Sequence, residues 1–301
     1  MATLADLVEA TRRLLVPFST DRRNTLNASL DASTTTVVLS TITNSVPAVG
    51  DYIGVDYEVM YVSASSEGTT TATLTVSRAE QGTTAATHSS GGTVEVTPRF
   101  ARGLILQALR DEIRSWPYDL YSTHTQVVEF AAGAATADLL PDAGTEVYSV
   151  LAAHRISSAA DARVRDPQLR VVRGLTAGVS PDGYKLQLAD PDTRYNAATD
   201  LHVTYSQAFD TETAWASTTD LANIGLSPSM YDIPPLGVAW RMLAARDAER
   251  ADFDAFDQSR KASEVPATYP RQAAEGFRRD RDLRIQQEIN RLRDLWGVRS
   301  G

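Results

Sequence analysis

Residues 50–96 read GDYIGVDYEVMYVSASSEGTTTATLTVSRAEQGTTAATHSSGGTVEV, and this stretch decides the fold expected for the first third of the chain. Its short runs, such as EVMYV at 58–62 and TLTV at 73–76, are rich in β-branched and aromatic residues, as half-buried strands are. Clusters of Gly, Ser and Thr between the runs favour turns. The stretch therefore predicts a module of about five short strands, without a catalytic motif.

Amphipathic helices are expected on both sides of this stretch. Apolar residues recur at three-and-four spacing in residues 4–16, where Thr3 can cap the helix and Pro17 ends it. The same spacing begins again after Pro98 and continues to Pro117. Because helices flank the strands, the order predicts a helical framework with the β-module inserted between its first two helices.

Strand signals return in the middle of the chain. They cover residues 125–209 and are clearest in KLQL at 185–188 and LHVTY at 201–205. We interpret this region as a second small β-sandwich or barrel. Turn residues separate its strands at 141–144, 181–183 and 190–192.

Helical signals dominate the last part of the chain. Pro234 and Pro235 should be extended and should precede a helix over residues 236–256. After a break at 264–266, a final helix is expected over residues 271–296.

Together these elements predict an α+β fold: a helical framework with two small inserted β-modules and a long C-terminal helical arm. The expected parts, in chain order, are the N-terminal framework helix at 1–20, the inserted β-module at 21–97, a framework helix at 98–120, the second β-module at 121–210, a linker and framework helix at 211–262, and a C-terminal helical docking arm at 263–301.

Length, cysteine content and charge restrict the possible functions. The 301 residues suffice for two modest domains, and the absence of cysteine excludes disulfides and thiol chemistry. No apolar run has signal-peptide or membrane-span length, so neither export nor membrane spanning is expected. Residues 1–235 carry 27 acidic and 16 basic side chains, whereas residues 236–301 carry 11 and 13. This acidic body disfavours a groove that grips nucleic-acid phosphates.

No residue pattern predicts catalysis or cofactor binding. The histidines at 88, 124, 154 and 202 are far apart and match no metal-binding spacing. Ser180 lies in GVSP, which is a proline turn rather than a nucleophile elbow. We therefore expect no catalytic, cofactor-binding or metal-ligating residues, and no cofactor.

Two pairs of acidic residues are candidate sites. Asp56 and Glu58 share one face of a predicted strand, so a paired-carboxylate or cation site is geometrically possible. Acids facing solvent on a thin sheet are the favoured interpretation, because acid–base chemistry also needs a pocket and shifted pKa values. Asp190 and Asp192 lack the other ligands and the glycine of a calcium loop.

The β-module carries a series of residues that resembles a known virion module. Asp56 and EVMYV at 58–62 are followed by LTVSR at 74–78, by Gly82-Thr83 and by HSSG at 88–91. This series, about a sixth of the chain, resembles a small β-module of tailed-bacteriophage virion proteins. With its flanking helices, the chain resembles the head-to-tail adaptors of these phages, also called connector or neck proteins.

The resemblance implies a structural protein without enzymatic turnover. Such adaptors form homo-oligomeric rings, expected here to be dodecamers, beneath the portal protein and continue the DNA channel towards a downstream neck or tail protein. DNA would be only a passing cargo, and no membrane would be involved. The expected location is the virion neck, after assembly in the host cytoplasm.

Three other functions remain open. Within the virion, the alternative is a minor tail or baseplate structural protein. A carbohydrate-binding adhesin would use exposed aromatic residues, and a peptidoglycan hydrolase would need paired acids or a zinc triad, which the sequence does not offer. The aromatic candidates for the adhesin are Tyr52, Tyr57, Tyr61, Tyr184 and Tyr205.

The last predicted helix carries a narrow apolar stripe suited to a partner. A long helix of this kind gains most of its stability by docking. The interleaved Arg and Asp residues at 278–282 are typical of a solvated helix face, in preference to a nucleic-acid contact. The residues expected to dock on the portal or on a neighbouring subunit are Phe277, Arg284, Ile285, Ile289, Leu292 and Trp296.

Overall fold

The described part of the chain contains thirteen strands and four α-helices. The computed structural model describes residues 2–19, 22–40, 45–141, 145–156, 163–165, 169–176, 180, 183–189, 195, 197–211, 215–256 and 269–296. The helices are α1 (Leu4–Leu15), α2 (Arg102–Arg114), α3 (Ile233–Phe256) and α4 (Tyr269–Trp296). The strands are β1 (Arg22–Thr25), β2 (Thr36–Leu39), β3 (Tyr52–Val55), β4 (Glu58–Glu67), β5 (Ala72–Ser77), β6 (Thr93–Val96), β7 (Ser122–Phe130), β8 (Thr136–Asp138), β9 (Val147–Ile156), β10 (Arg163–Arg165), β11 (Leu169–Val172), β12 (Lys185–Leu188) and β13 (Thr199–Gln207).

The predicted fold class is wrong. The protein is mostly β-sheet, with three sheets and accompanying helices, and not a helical framework that carries two small β inserts. The physical reason is that the sheets bury hydrophobic cores of their own and do not depend on a helical scaffold.

The first sheet, which we call the curled sheet, has six antiparallel strands in the order β1-β6-β3-β4-β5-β2. It curls until its edge strands meet: the Asn27 N–H donates to the Val38 carbonyl at 2.8 Å, and the Ser40 N–H donates to the Thr25 carbonyl at 2.8 Å. Joining the edges in this way protects backbone groups that would otherwise attract foreign strands. Its core consists of Leu26, Leu30, Val37, Leu39, Ile53, Val55, Met60, Val62, Ala72, Leu74, Val76 and Val94.

Two further sheets share a second hydrophobic core. One has four strands in the order β10-β9-β13-β7, and the other has three in the order β11-β12-β8. Alternate residues of β7 and β13 point into this core, as expected for strands with one buried face. The core consists of Val128, Phe130, Ala137, Leu139, Val147, Ala153, Leu186, Leu188, Tyr195, Leu201, Val203 and Tyr205.

The chain divides into two compact units. One contains residues 3–112 and 232–282, and it includes the curled sheet together with α1, which packs on α3. The other contains residues 1–2, 113–231 and 283–301, and it includes the two smaller sheets. Some of the predicted features lie outside the described residues. These are parts of the turns, at 142–144, 181–182 and 190–192, and the break at 264–266.

Helix α3 begins earlier than the sequence predicted. Pro234 and Pro235 were expected to be extended, but both lie in the first turn of the helix, which starts at Ile233. Proline is tolerated there because the first N–H groups of a helix have no intrahelical acceptor. Among the described residues, no helix is both long and apolar enough to cross a membrane.

Candidate functional site

The residues of the sequence motif meet around one buried carboxylate. Glu58 begins β4, directly after the two-residue turn that joins β3 to β4, and only 1% of its surface is exposed. Asp56 lies in that turn with a φ of 51°, a conformation that few residues other than glycine adopt. We call Asp56, Glu58, Arg78 and His88 the Glu58 cluster.

Arg78 holds Glu58 in a two-pronged ion pair. Its Nε lies 2.6 Å from Oε1 of Glu58 and its Nη2 lies 2.7 Å from Oε2. The remaining donors reach three backbone carbonyls in two segments: Asp31 (2.7 Å) and Thr34 (2.8 Å) between β1 and β2, and Ala86 (2.7 Å) between β5 and β6. A planar guanidinium fork suits this arrangement, which lysine could not reproduce.

His88 bridges the two acidic residues of the cluster. Its Nδ1 lies 2.8 Å from Oδ2 of Asp56, and its Nε2 lies 2.9 Å from Oε2 of Glu58. The imidazole is buried, whereas the Asp56 side chain is 62% exposed. Each ring nitrogen of His88 therefore faces a carboxylate oxygen.

Backbone groups complete the coordination of the Glu58 carboxylate. The N–H of Ala79 donates to Oε1 at 3.1 Å, and the N–H of Ala86 donates to Oε2 at 3.0 Å. Burial by itself raises the pKa of Glu58, but hydrogen bonds from Arg78, His88 and these two amides outweigh burial and lower the pKa to about 2 from 4.5. A buried, ionised and fully hydrogen-bonded carboxylate is unsuited to proton transfer at neutral pH.

The Gly-Thr element of the motif supports the same region. The Thr83 hydroxyl accepts a hydrogen bond from the Val59 N–H at 3.1 Å and donates to the Glu80 carbonyl at 2.8 Å. Gly82 has a φ of 77°, a conformation in which a side chain would be strained. The motif therefore connects β4 to the segment between β5 and β6.

A second ionic cluster, which the sequence analysis missed, joins the curled sheet to two helices. Glu95 is 2% exposed on β6 and pairs with Nη2 of Arg12 (2.5 Å) and Nη1 of Arg102 (2.9 Å). Arg102 also pairs with Glu9 at 2.8 Å. The sequence does contain a signal for this cluster. Glu95 stands between Val94 and Val96 in a buried strand, and a buried acid needs a cationic partner.

A third buried acid, Glu112 on α2, has partners on two other helices. Its carboxylate lies 2.8 Å from Nε of Arg241 on α3 and 2.5 Å from Nε of Arg281 on α4. A Cβ at Gly237 would lie 2.2 Å from the carboxyl carbon of Glu112, so only glycine allows α3 to approach this closely. Arg281 was part of the run interpreted as a solvated helix face, but its side chain is only 13% exposed.

The residues predicted to dock on a partner fall into two groups. Ile285, Ile289 and Leu292 are buried within this chain, at 6%, 3% and 3% exposure. Phe277, Arg284 and Trp296 are partly exposed.

Arg284 also has a defined contact within the chain. Its Nη2 donates to the Ser229 carbonyl at 3.0 Å, and the Ser229 hydroxyl donates to the buried Glu288 at 2.8 Å. The apolar stripe therefore contributes to the fold, and the exposed side of α4 is the part that remains accessible to a partner.

The other three histidines lie on strands of the four-stranded sheet. His124 packs on Tyr205 with ring centroids 5.4 Å apart, and His154 lies opposite His202 on neighbouring strands. No group of three or more metal-ligating side chains occurs in the described ranges. The interpretation of Asp56 and Glu58 as solvent-facing acids holds for Asp56 only, because Glu58 is buried.

The aromatic residues considered for glycan binding differ in exposure: Tyr52 is 37% exposed and Tyr205 is 0% exposed. Tyr52 and Tyr61 form an edge-to-face pair with centroids 5.5 Å apart. Tyr205 is completely buried in the second core. Searches against protein-family models, curated proteins and solved structures found no match.

Proposed function

We propose that this protein is a structural component of a tailed-bacteriophage virion, a head-to-tail adaptor that forms a ring between the portal and the tail and continues the DNA channel. The observation that carries the proposal is the Glu58 cluster. Its four residues belong to the series that resembles virion β-modules, and they meet in one ionic contact around the buried Glu58.

The chemistry of the cluster supports an architectural role without enzymatic turnover. Arg78 and His88 connect three segments of the curled sheet: the start of β4 at Glu58, the connection between β1 and β2 at Asp31 and Thr34, and the connection between β5 and β6 at Ala86. Each Glu58 oxygen already accepts at least two hydrogen bonds, which leaves no lone pair aimed at a substrate. Such a network specifies one arrangement of loops, which a subunit of a precise assembly requires.

Charge supports the proposed role in DNA passage. The chain has a net charge of −9, and most of the excess acid lies in residues 1–235. A conduit benefits from a wall that does not retain phosphates, and phosphate retention needs clustered positive charge. DNA is therefore proposed as a passing cargo and not as a ligand.

The proposed partners are identical subunits in a dodecameric ring, the portal protein above it and a neck or tail protein below it. For portal docking, the exposed side of α4 is the better surface, since Ile285, Ile289 and Leu292 are already buried. That side carries Leu283 and Leu295, which are 56% and 61% exposed. The proposed location is the virion neck after assembly in the host cytoplasm.

A joining assay with separately prepared phage parts tests the proposal. DNA-filled heads and finished tails should accumulate unjoined in cells infected by a phage that lacks this gene. Purified full-length protein should join them into infectious particles. Two results would instead favour the minor tail or baseplate function. In the first, heads and tails join without the protein; in the second, the particles lack only tail-tip structures.

A further inference from the structure

A polar cavity lies at one end of the four-stranded sheet, within the unit that contains the two smaller sheets. Its volume is about 200 Å³. The walls are the start of β7, the residues at and after the end of β13, and a loop at 222–227. The polar side chains that line it include Ser122, His124, Gln207, Asp210, Asn223 and Ser227.

The inward faces of β7 and β13 change from apolar to polar towards this cavity. At the far end of the two strands, Phe130 and Leu201 are completely buried in the second core. At the near end, Ser122 lies opposite Gln207 in the strand register, and these two residues are 4% and 3% exposed. Burial of polar side chains costs free energy unless they form hydrogen bonds. A buried strand face that becomes polar at a cavity therefore indicates a place for a hydrogen-bonding ligand.

The loop that closes the cavity is held in a defined shape. Within it, the Leu226 N–H donates to the Leu221 carbonyl at 3.0 Å, and the Gly225 N–H donates to the Ala222 carbonyl at 3.0 Å. Gly225 has a φ of 85°, and a Cβ there would lie 2.4 Å from Oγ of Ser122. The loop therefore packs directly on β7, and the cavity is formed in advance of a ligand, as most ligand pockets are.

The charges of the lining disfavour an anionic ligand. Proteins bind phosphate and carboxylate groups chiefly with arginine and lysine. None of the described residues that line the cavity is an arginine or a lysine, and Asp210 contributes a carboxyl group. A phosphorylated or acidic ligand therefore lacks the cationic partners that it needs.

The hydrogen-bonding groups and the volume of the cavity suit a sugar. The amides of Gln207 and Asn223 can each donate and accept, and so can the hydroxyls of Ser122 and Ser227. Sugar hydroxyls also do both, whereas an ammonium group only donates. At ~30 Å³ per water, the cavity holds the volume of about six or seven waters, which is close to one sugar ring. Thr123 and Asn223 in the lining are exposed, so the cavity opens to solvent.

We propose that this cavity binds a single neutral sugar unit. Asp210, Gln207 and Asn223 form hydrogen bonds with its hydroxyl groups, and the loop at 222–227 encloses one side of the ring. The site goes beyond the proposed adaptor function and does not depend on it.

Nuclear magnetic resonance of the full-length protein with a panel of monosaccharides tests the site. The panel consists of D-glucose, D-galactose, N-acetyl-D-glucosamine and L-rhamnose. At least one of them should receive saturation from the protein and should shift the amide resonances of residues 122–124 and 222–227. The Kd should be on the order of 1 mM, as expected for a ligand of this size.

Two substitutions in the lining should weaken sugar binding by roughly tenfold or more. Asp210→Asn keeps the shape of the side chain and removes the carboxyl group. Asn223→Trp fills the mouth of the cavity from an exposed position. The matched control is Asp200→Asn, which lies exposed at the other end of β13 and should bind the sugar as the wild type does. Circular dichroism melting of each variant verifies that the fold is unchanged.

Three results would overturn the sugar site. In the first, no sugar of the panel shifts the resonances of the lining residues. In the second, both lining variants bind the sugar as tightly as the wild type, which places the sugar elsewhere on the protein. In the third, n-butylamine shifts these resonances and no sugar does, which assigns the cavity to an ammonium group such as that of a lysine side chain. The joining of heads and tails is measured separately, so the adaptor function stands or falls by its own assay.

Discussion

At the scale of single residues, the central feature is a buried acid whose charge is completely compensated. The sequence identified all four members of the Glu58 cluster but not their contact. Arg78 and His88 lie 20 and 30 positions from Glu58 in the chain, and pairing across such separations depends on how the sheet curls. An acid that starts a strand of buried residues was a usable signal, since burial of a charge requires a partner.

Removal of the Glu58 charge should destabilise the protein strongly. In Glu58→Gln the shape is kept, but Arg78 loses its buried counter-ion, so the free energy of unfolding should fall by about 3–5 kcal/mol. Chemical denaturation measures this change. Glu67→Gln, at the exposed end of the same strand, is the matched control and should change stability by less than about 0.5 kcal/mol. Equal effects of the two substitutions would contradict a structural role for the cluster.

The depressed pKa of Glu58 also predicts how the stability of the fold decreases at acidic pH. A carboxyl group whose pKa is lower in the folded than in the unfolded state stabilises the fold above its unfolded pKa. That contribution is lost as pH falls through the folded pKa. The loss should therefore occur between about pH 4.5 and pH 2. Melting temperatures over this range should fall less steeply for Glu58→Gln than for the wild type, and parallel curves would refute the assignment.

At the scale of elements, glycines set how closely the helices approach their neighbours. A Cβ at Gly103 on α2 would lie 2.2 Å from the carbonyl oxygen of Tyr57, in the turn that also holds Asp56, and 2.8 Å from Cγ2 of Thr83. The start of α2 therefore packs directly on the turn of the Glu58 cluster. Gly276 on α4, in contrast, has nothing within 4 Å of a Cβ.

These two glycines should respond in opposite directions to alanine. Gly103→Ala should reduce stability by about 1–3 kcal/mol, because backbone atoms must move to admit the methyl group. Gly276→Ala should raise stability by up to about 1 kcal/mol, because alanine has the higher helix propensity. Thermal unfolding followed at a helical wavelength compares them, and a stabilised Gly103→Ala variant would show that the close contact is not present.

Elements with strong periodicity were predicted well. Helices α1 and α2 lie within a few residues of the ranges that their apolar spacing indicated. The role of α4 was harder to infer, because a narrow apolar stripe looks the same whether it docks on a partner or on its own chain. Ile285, Ile289 and Leu292 are buried within the chain. Their spacing in the sequence shows that they share a helix face, but it does not show which surface covers that face.

At the scale of the whole molecule, the fold class was the main error of the sequence analysis. Several strands have only three or four residues, such as β1, β8 and β10, and each gives a weak signal beside a long amphipathic helix. Sheet membership also depends on distant pairing, such as that of β1 with β6, which local periodicity does not contain. Local periodicity therefore favours a helical framework, whereas the sheets carry the hydrophobic cores.

The distribution of charge predicts weak contact with DNA. The full-length protein should bind a DNA duplex no more tightly than about 1 μM at about 0.15 M salt, with affinity that falls steeply as salt rises. Fluorescence anisotropy with two unrelated duplex sequences measures both properties. Tight binding that distinguishes the sequences would indicate a DNA-recognition function and would exclude a passive channel.

The position of the protein in the particle tests the central claim most directly. Cryo-electron microscopy of virions that carry a gold-labelled tag on this chain should show the label at the neck, and the unlabelled reconstruction should fit this fold as a dodecameric ring between portal and tail. Label at the distal end of the tail, or complete particles without this chain, would contradict the account.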